Sequence, residues 1–204
     1  ARAEGVEVDP LRQAIRRFRG VKRRQELLGV AQGVRVLQDF AHHPTAVQLT
    51  TRALRRRYPN QSLHVVFEPR SASSRRAVFF EGYASAFDAA SRVYLGPLHA
   101  PQKVPEDQRL DTFALADAIS SRGCPAKAFE SIEGVRDEVL RRAVPGDTIL
   151  FLTCGSFGGL PEMVLNGLGD AVTFGRREDV PAVNQLLIES GMPSLIDPDE
   201  VETL

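Results

Sequence analysis

Thr148-Ile149-Leu150-Phe151-Leu152-Thr153 runs directly into Cys154-Gly155-Ser156-Phe157-Gly158-Gly159 and is opened by the turn residues Pro145-Gly146-Asp147. Consecutive large apolar side chains give neither the alternation of a half-exposed strand nor the length of a helix. Bounded by turn residues at both ends, the run reads as a strand buried on both faces, which requires helices above and below it. Other short runs precede it. Residues 34–39, 63–68 and 92–95 read as strands, and 126–129 as a weaker one. Helical patterns separate them, over 44–57, where Pro44 can open the first turn, and over about 77–90, 110–122 and 132–143. This alternation implies right-handed crossovers. The predicted fold class is α/β: a Rossmann-like domain, with a mostly parallel sheet and helices on both faces, spanning residues 20–168. Residues 21–31 are expected to add a short strand or hairpin at one edge.

The ends do not fit this unit. Residues 1–19 form a basic helical stretch with no strand of its own, which reads as the tail of a preceding domain and its linker. After Gly169 a strand over 171–174 and a helix over 178–189 restart the pattern. One strand and one helix cannot close a core, so 169–204 is expected either to dock on the main domain or to open a second one.

Composition narrows the function classes. Of the 204 residues, 43% are hydrophobic and 25% charged, which argues against a disordered chain. No apolar run approaches the ~18 residues of a membrane span, and the opening segment lacks the apolar stretch of a signal peptide. Cys124 and Cys154 are too few for a disulfide scaffold, and the expected setting is reducing and cytoplasmic. The net charge of zero conceals a gradient: residues 1–57 hold 13 Lys and Arg against 5 Asp and Glu, whereas 158–204 hold 2 against 9. A basic half suits nucleic acid, but no aromatic residues are interleaved as stacking platforms, so no nucleic-acid partner is expected.

Ligands of open parallel sheets bind at the carboxyl ends of the strands. Three motif-like segments fall there: Asp39-Phe40-Ala41-His42-His43-Pro44, Glu68-Pro69-Arg70-Ser71 continuing to Arg75-Arg76, and Cys154 to Gly159. The histidine pair has no third ligand at zinc spacing, so no metal site is expected. The glycine-rich segment is neither a nucleophile elbow nor a phosphate loop ending in Gly-Lys-Ser/Thr. It reads either as a backbone N–H cradle for an anion at the start of the next helix or as a tight turn. Arg70, Arg75, Arg76 and the nearby serines are donors only, suited to gripping carboxylate or phosphate, or else a solvated loop. No paired acid and base and no activated nucleophile stand out.

Phe18-Arg19-Gly20-Val21-Lys22-Arg23-Arg24-Gln25-Glu26, together with Asp39 to Ala46, resembles the C-terminal part of the Mur ligases over about residues 1–168. Glu68-Pro69-Arg70-Ser71 and Gly155 to Gly159 narrow the resemblance to the branch that joins UDP-N-acetylmuramate to the murein tripeptide L-Ala-γ-D-Glu-meso-diaminopimelate. The branch that adds L-alanine to UDP-N-acetylmuramate is the alternative, and a stand-alone nucleotide- or peptide-binding module is another. The resemblance implies three domains, of which this chain matches the last. ATP, with Mg bound mainly by the central domain, would convert the muramic carboxylate to an acyl phosphate that the peptide amine attacks. By position, the resemblance assigns Arg24, Asp39 and His42 to the nucleotide, with Asp39 on the ribose. It assigns His43, Arg70, Ser71, Ser156 and Phe157 to the substrates, and places no catalytic residue in this chain alone. Gln38 stands where many relatives carry a further aspartate. The segment from Val172 to Leu187 resembles the opening strand and helix of GNAT-type acetyltransferases.

Overall fold

The computed structural model describes residue 5 and residues 7–17, 21–169 and 171–173. The chain forms two compact units, residues 1–22 with 174–204, and residues 23–173. In the first, helix α1 (Val8–Arg17) carries an exposed ion pair between Arg12 and Asp9 at 3.4 Å. The expected helix over 178–189 lies outside the described residues.

The second unit holds the strands β1 (Glu26–Ala31), β2 (Val34–Asp39), β3 (Leu63–Phe67), β4 (Arg92–Leu95), β5 (Ala126–Ala128), β6 (Thr148–Leu152) and β7 (Ala171–Thr173). They form one sheet in the order β5-β4-β3-β6-β2-β1-β7. The five strands from β5 to β2 are parallel, and β1 and β7 add antiparallel pairs. The helices are α2 (Pro44–Arg57), α3 (Phe80–Ala86), α4 (Thr112–Ser121), α5 (Ile132–Arg142) and α6 (Leu160–Gly167).

Side chains of a strand point alternately to opposite faces. On one face Leu63, Val65, Phe67, Leu150 and Leu152 pack beneath Val47 and Leu54 of α2, Tyr83 of α3, and Leu115 and Ile119 of α4. On the other Val66, Tyr94, Ile149 and Phe151 pack beneath Val135 and Val139 of α5 and Leu160 and Val164 of α6. The unbroken apolar run at 149–152 therefore serves two cores at once. Local chemistry fixes the helix starts: the Asp111 side chain accepts from the N–H groups of Phe113 and Ala114, and the Ser131 side chain from that of Gly134.

Two expectations need correction. The strand over 26–31 is not at an edge, because β7 pairs outside it, Gly29 opposite Thr173 and Ala31 opposite Ala171. The sheet thus continues past residue 168. A two-residue turn at Gln32-Gly33, both with positive φ (48° and 76°), makes β1 and β2 a tight hairpin. The helix expected over 77–90 is instead a 3-10 turn at Ala77–Phe79 followed by the short α3. Phe87 sinks fully into the core, and Ala90 N–H donates to its carbonyl at 2.8 Å, turning the chain into β4.

Candidate functional site

Register levels the carboxyl ends of the parallel strands. Asp39 and Phe67 both lie opposite Leu152, and Phe67 lies opposite Leu95. The chain leaves β3 towards α3 on one face and β6 towards α6 on the other. Adjacent strands whose continuations part in this way leave a crevice, the usual ligand position in open α/β sheets.

Glu68 and Thr153 meet in that crevice. Glu68, buried at 4% exposure, accepts from the Thr153 hydroxyl through Oε2 and from Arg70 Nη1 at 3.3 Å through Oε1. Thr153 Oγ1 in turn accepts from Gly155 N–H at 2.9 Å. One carboxylate therefore orients both the arginine of the first loop and the backbone of the second. Arg70 lies so close over Gly155 that a Cβ there would stand 2.2 Å from its Nε, so only glycine fits beneath this guanidinium. Arg23 donates from the far side to the Gly155 carbonyl. The side chain of Arg70 remains 30% exposed at the rim, with His99 Nδ1 3.3 Å away.

Asp39, which the resemblance assigns to the ribose, closes β2 and anchors the backbone around it. It is 3% exposed, and its two oxygens accept from the backbone N–H groups of Gln25 at 2.9 Å and Ala41 at 2.7 Å. Gln25 has a φ of 49°, so the carboxylate straps a strained turn to the end of β2. The neighbouring surface is formed by Arg24, Phe40 and His42. The exposed Arg24 guanidinium sits 5.3 Å from the centroid of the Phe40 ring, which meets the His42 ring edge-on at 5.3 Å. His42 Nδ1 lies 3.0 Å from the Phe40 carbonyl. A carbonyl only accepts, so Nδ1 carries the proton and Nε2 of the neutral ring is an acceptor. His43 is exposed at the start of α2, its ring against Phe79.

Phe157, which the resemblance assigns to the substrates, lies inward of the rim. It is 1% exposed, in the core beneath α5 and α6, and its ring fills the space over Gly96, where a Cβ would stand 2.5 Å from Cζ. It wedges the loop in place and offers no surface to a ligand, whereas Ser156 beside it is exposed. The glycine-rich loop uses several of its own donors: Gly155 N–H on Thr153, Gly159 N–H on Ser156, and Leu160 N–H on Phe157. Positive charge beside this loop comes from Arg23 and Arg70, with Arg24 on the neighbouring surface. Ser71 is folded into its own turn, bonded to Ser73 at 3.1 Å and Ser74 at 2.8 Å. Arg75 is a buried staple to the carbonyls of Ser71, His99 and Ala100.

Burial, with Arg70 adding to it, holds His99 below its usual pKa, so the ring tends to stay neutral beside the guanidinium. Burial and the nearby Glu68 push the Cys154 thiol up, favouring its protonated form. Sequence reading passed over Glu68 and Thr153 as a pair. The available signal was a carboxylate and a hydroxyl each placed directly after a fully apolar strand.

The family profile described as "Mur ligase, glutamate ligase domain" matches residues 23–157. The chain belongs to the Mur ligase family. Among its Mur ligase relatives is the UDP-N-acetylmuramate–L-alanyl-gamma-D-glutamyl-meso-2,6-diaminoheptandioate ligase of Escherichia coli (strain K12). It is 35% identical over 170 residues, 82% of this chain and 35% of the relative. A UDP-N-acetylmuramate–L-alanine ligase of Roseiflexus sp. (strain RS-1) is 33% identical over 169 residues, 80% of this chain and 34% of the relative. A murein peptide ligase from Psychrobacter arcticus 273-4 shares the fold, with a TM-score of 0.64 at 24% identity, covering 78% of this chain and 32% of that one. The chain spans about a third of the length of the curated Mur ligases it matches. The matched segment of this Mur ligase domain runs from Arg23 to Phe157, from one wall of the crevice to the wedge of the other.

Proposed function

We propose that the chain is the C-terminal, nucleotide- and peptide-binding domain of an ATP-dependent amide ligase. The ligase would join UDP-N-acetylmuramate to L-Ala-γ-D-Glu-meso-diaminopimelate in peptidoglycan recycling, in the cytoplasm. Residues 1–19 are then the tail of the central domain, 20–168 the Mur ligase C-terminal domain, and 169–204 an extension. The observation that carries this reading is Arg70, fixed over Gly155 by the buried Glu68 at the strand-end crevice. A guanidinium grips carboxylates bidentately, and the tripeptide presents several where L-alanine presents one. Ser156, exposed beside Gly155, supplies a hydroxyl at the same rim.

The strip of Arg24, Phe40 and His42 suits the ribose side of a nucleotide, with His42 Nε2 accepting from a hydroxyl. The Asp39 carboxylate, steadied by the backbone N–H groups of Gln25 and Ala41, ends the same strand and keeps a lone pair on each oxygen for a ribose hydroxyl. ATP supplies the activation of the carboxylate that the amine attacks. Magnesium, bound mainly by the central domain in this reading, would neutralise charge on the phosphates of ATP. The domain's own part is to orient the acceptor and, closing over the central domain, to exclude water. The L-alanine-adding ligases are the second reading, favoured by the Roseiflexus relative.

Calorimetric titration of the 204-residue chain separates the two. The tripeptide is expected to bind, and Arg70→Ala to abolish binding. Binding of L-alanine with none of the tripeptide would transfer the assignment to the second reading.

A further inference from the structure

At the amino-terminal ends of β4 and β5, away from the crevice, lies a cavity of about 540 Å³. Its composition follows from strand geometry. Arg92 and Tyr94 are two residues apart in β4 and share a face, and Lys127 lies opposite Tyr94 in the parallel register. That face is the one Tyr94 and Phe129 bury beneath α5. Positions so placed are ordinarily apolar, yet here two of them carry cations, and α5 ends in Arg141 and Arg142 at the same cavity wall. Four cations thus converge against a single carboxylate, Glu138. Glu138 engages Arg142 Nε at 3.2 Å and Arg141 Nε at 3.1 Å. Arg92 makes no ion pair among the described residues, and Lys127 lies over the Phe129 ring at 5.1 Å, close enough to Glu138 to help Arg141 hold that carboxyl below its usual pKa.

We propose that this cavity is a second ligand site, for a small molecule bearing a phosphate group. The surplus of positive charge matches a multiply charged oxyanion, and guanidinium groups bind phosphate bidentately. The volume falls within the range of small-molecule pockets, roughly 300–1,000 Å³, and exceeds what a bare phosphate fills. An attached group would lie along the backbone of Pro125 and Ala126 at the cavity wall. The site is separate from the crevice, being built from the opposite ends of the strands, and it does not depend on the ligase reading.

The test is a titration of the ¹⁵N-labelled 204-residue chain with inorganic pyrophosphate and, separately, with a ribonucleoside monophosphate, followed by amide shifts. Saturable shifts at Tyr94, Ala126, Lys127 and Arg142 are expected at millimolar concentration with both probes, tighter with the nucleotide if the volume is used. Arg92→Gln and Lys127→Gln are each expected to weaken binding by about tenfold, the loss of one charge-assisted contact. Glu138→Gln removes the competing carboxylate and is expected to strengthen it. Lys127 is exposed, so its variant remains informative should Arg92→Gln fail to fold. Shifts reproduced by sodium chloride of equal ionic strength would overturn the proposal. So would shifts confined to residues 23–43 and 155–159, or no shift at all, which would leave Lys127 as a charged guard on an edge strand.

Discussion

The buried carboxylate of Glu68, at the end of β3, receives the hydroxyl of Thr153, at the end of β6, where the chain leaves adjacent strands towards opposite faces. The pair ties two loops that share no sequence neighbourhood. Arg70 hangs from one side of it and Gly155 from the other.

Removing that carboxylate leaves a buried hydroxyl and a guanidinium without their acceptor. Glu68→Ala is expected to lower stability by about 1.5–3 kcal/mol, the range for hydrogen bonds to a charged group. Urea unfolding monitored by circular dichroism measures it. A loss below about 0.5 kcal/mol, ordinary for an uninvolved surface position, would show that the carboxylate organises nothing.

Arg70→Lys keeps the charge and loses the fork. Tripeptide affinity is expected to fall about tenfold while ATP affinity changes less than about twofold. Parallel losses for both ligands, in titrations of the same preparation, would remove Arg70 from the peptide side.

Two glycine substitutions separate site from scaffold. At Gly155 an added Cβ meets the far end of the Arg70 side chain, which can swing away. Gly155→Ala is therefore expected to weaken tripeptide binding with little change in stability. At Gly96 the Cβ meets the ring of the buried Phe157. Gly96→Ala should cost about 1–3 kcal/mol through overpacking. Denaturant midpoints of the two variants in the reverse order would contradict both placements.

His64 makes stability depend on pH. Burial lowers its pKa below the usual 6.5, outweighing the attraction of Asp147 at 3.2 Å, and Arg92 lowers it further. The neutral ring is satisfied: Nε2–H faces Asp147, and Nδ1 accepts from the Tyr94 hydroxyl at 2.9 Å. Below 6.5 the unfolded chain binds the proton more readily than the folded one, so stability rises with pH up to that value and is lost as pH falls below it. Unfolding free energy should decrease between about pH 7 and pH 5.5. A flatter profile in His64→Gln is expected, and an unchanged slope would assign the effect elsewhere.

Incubated with ATP, magnesium, UDP-N-acetylmuramate and the tripeptide, the 204-residue chain is expected to form no ADP above background. It spans about a third of the ligases it matches, and a domain that orients substrates has nothing to act on without its partner. Robust turnover would overturn the reading at its centre.

The strand ends were legible because register follows from apolar runs. Ile149 to Leu152 could only be a doubly covered strand, and its neighbours aligned with it. What side chains do after those ends was less so. Asp39 sits at the expected edge, but spacing alone does not reveal that Gln25, in a left-handed conformation, brings its N–H to that carboxylate. Phe157 has a φ of 50°, and a reversal of that kind turns a residue of the rim into the core. Arg75 reads as one of three loop cations, yet two of the three carbonyls it binds come from a segment after β4 that sequence distance hides.

The three residues of β7 act as a seal. Through Gly29, Val30 and Ala31 they occupy one side of β1. A variant shortened to end at Leu168 would uncover that row of backbone donors and acceptors. An open strand border is a template for a second chain. The shortened protein would then be prone to joining edge to edge with its own copies, so preparations intended to stay monomeric should retain the residues through Thr173.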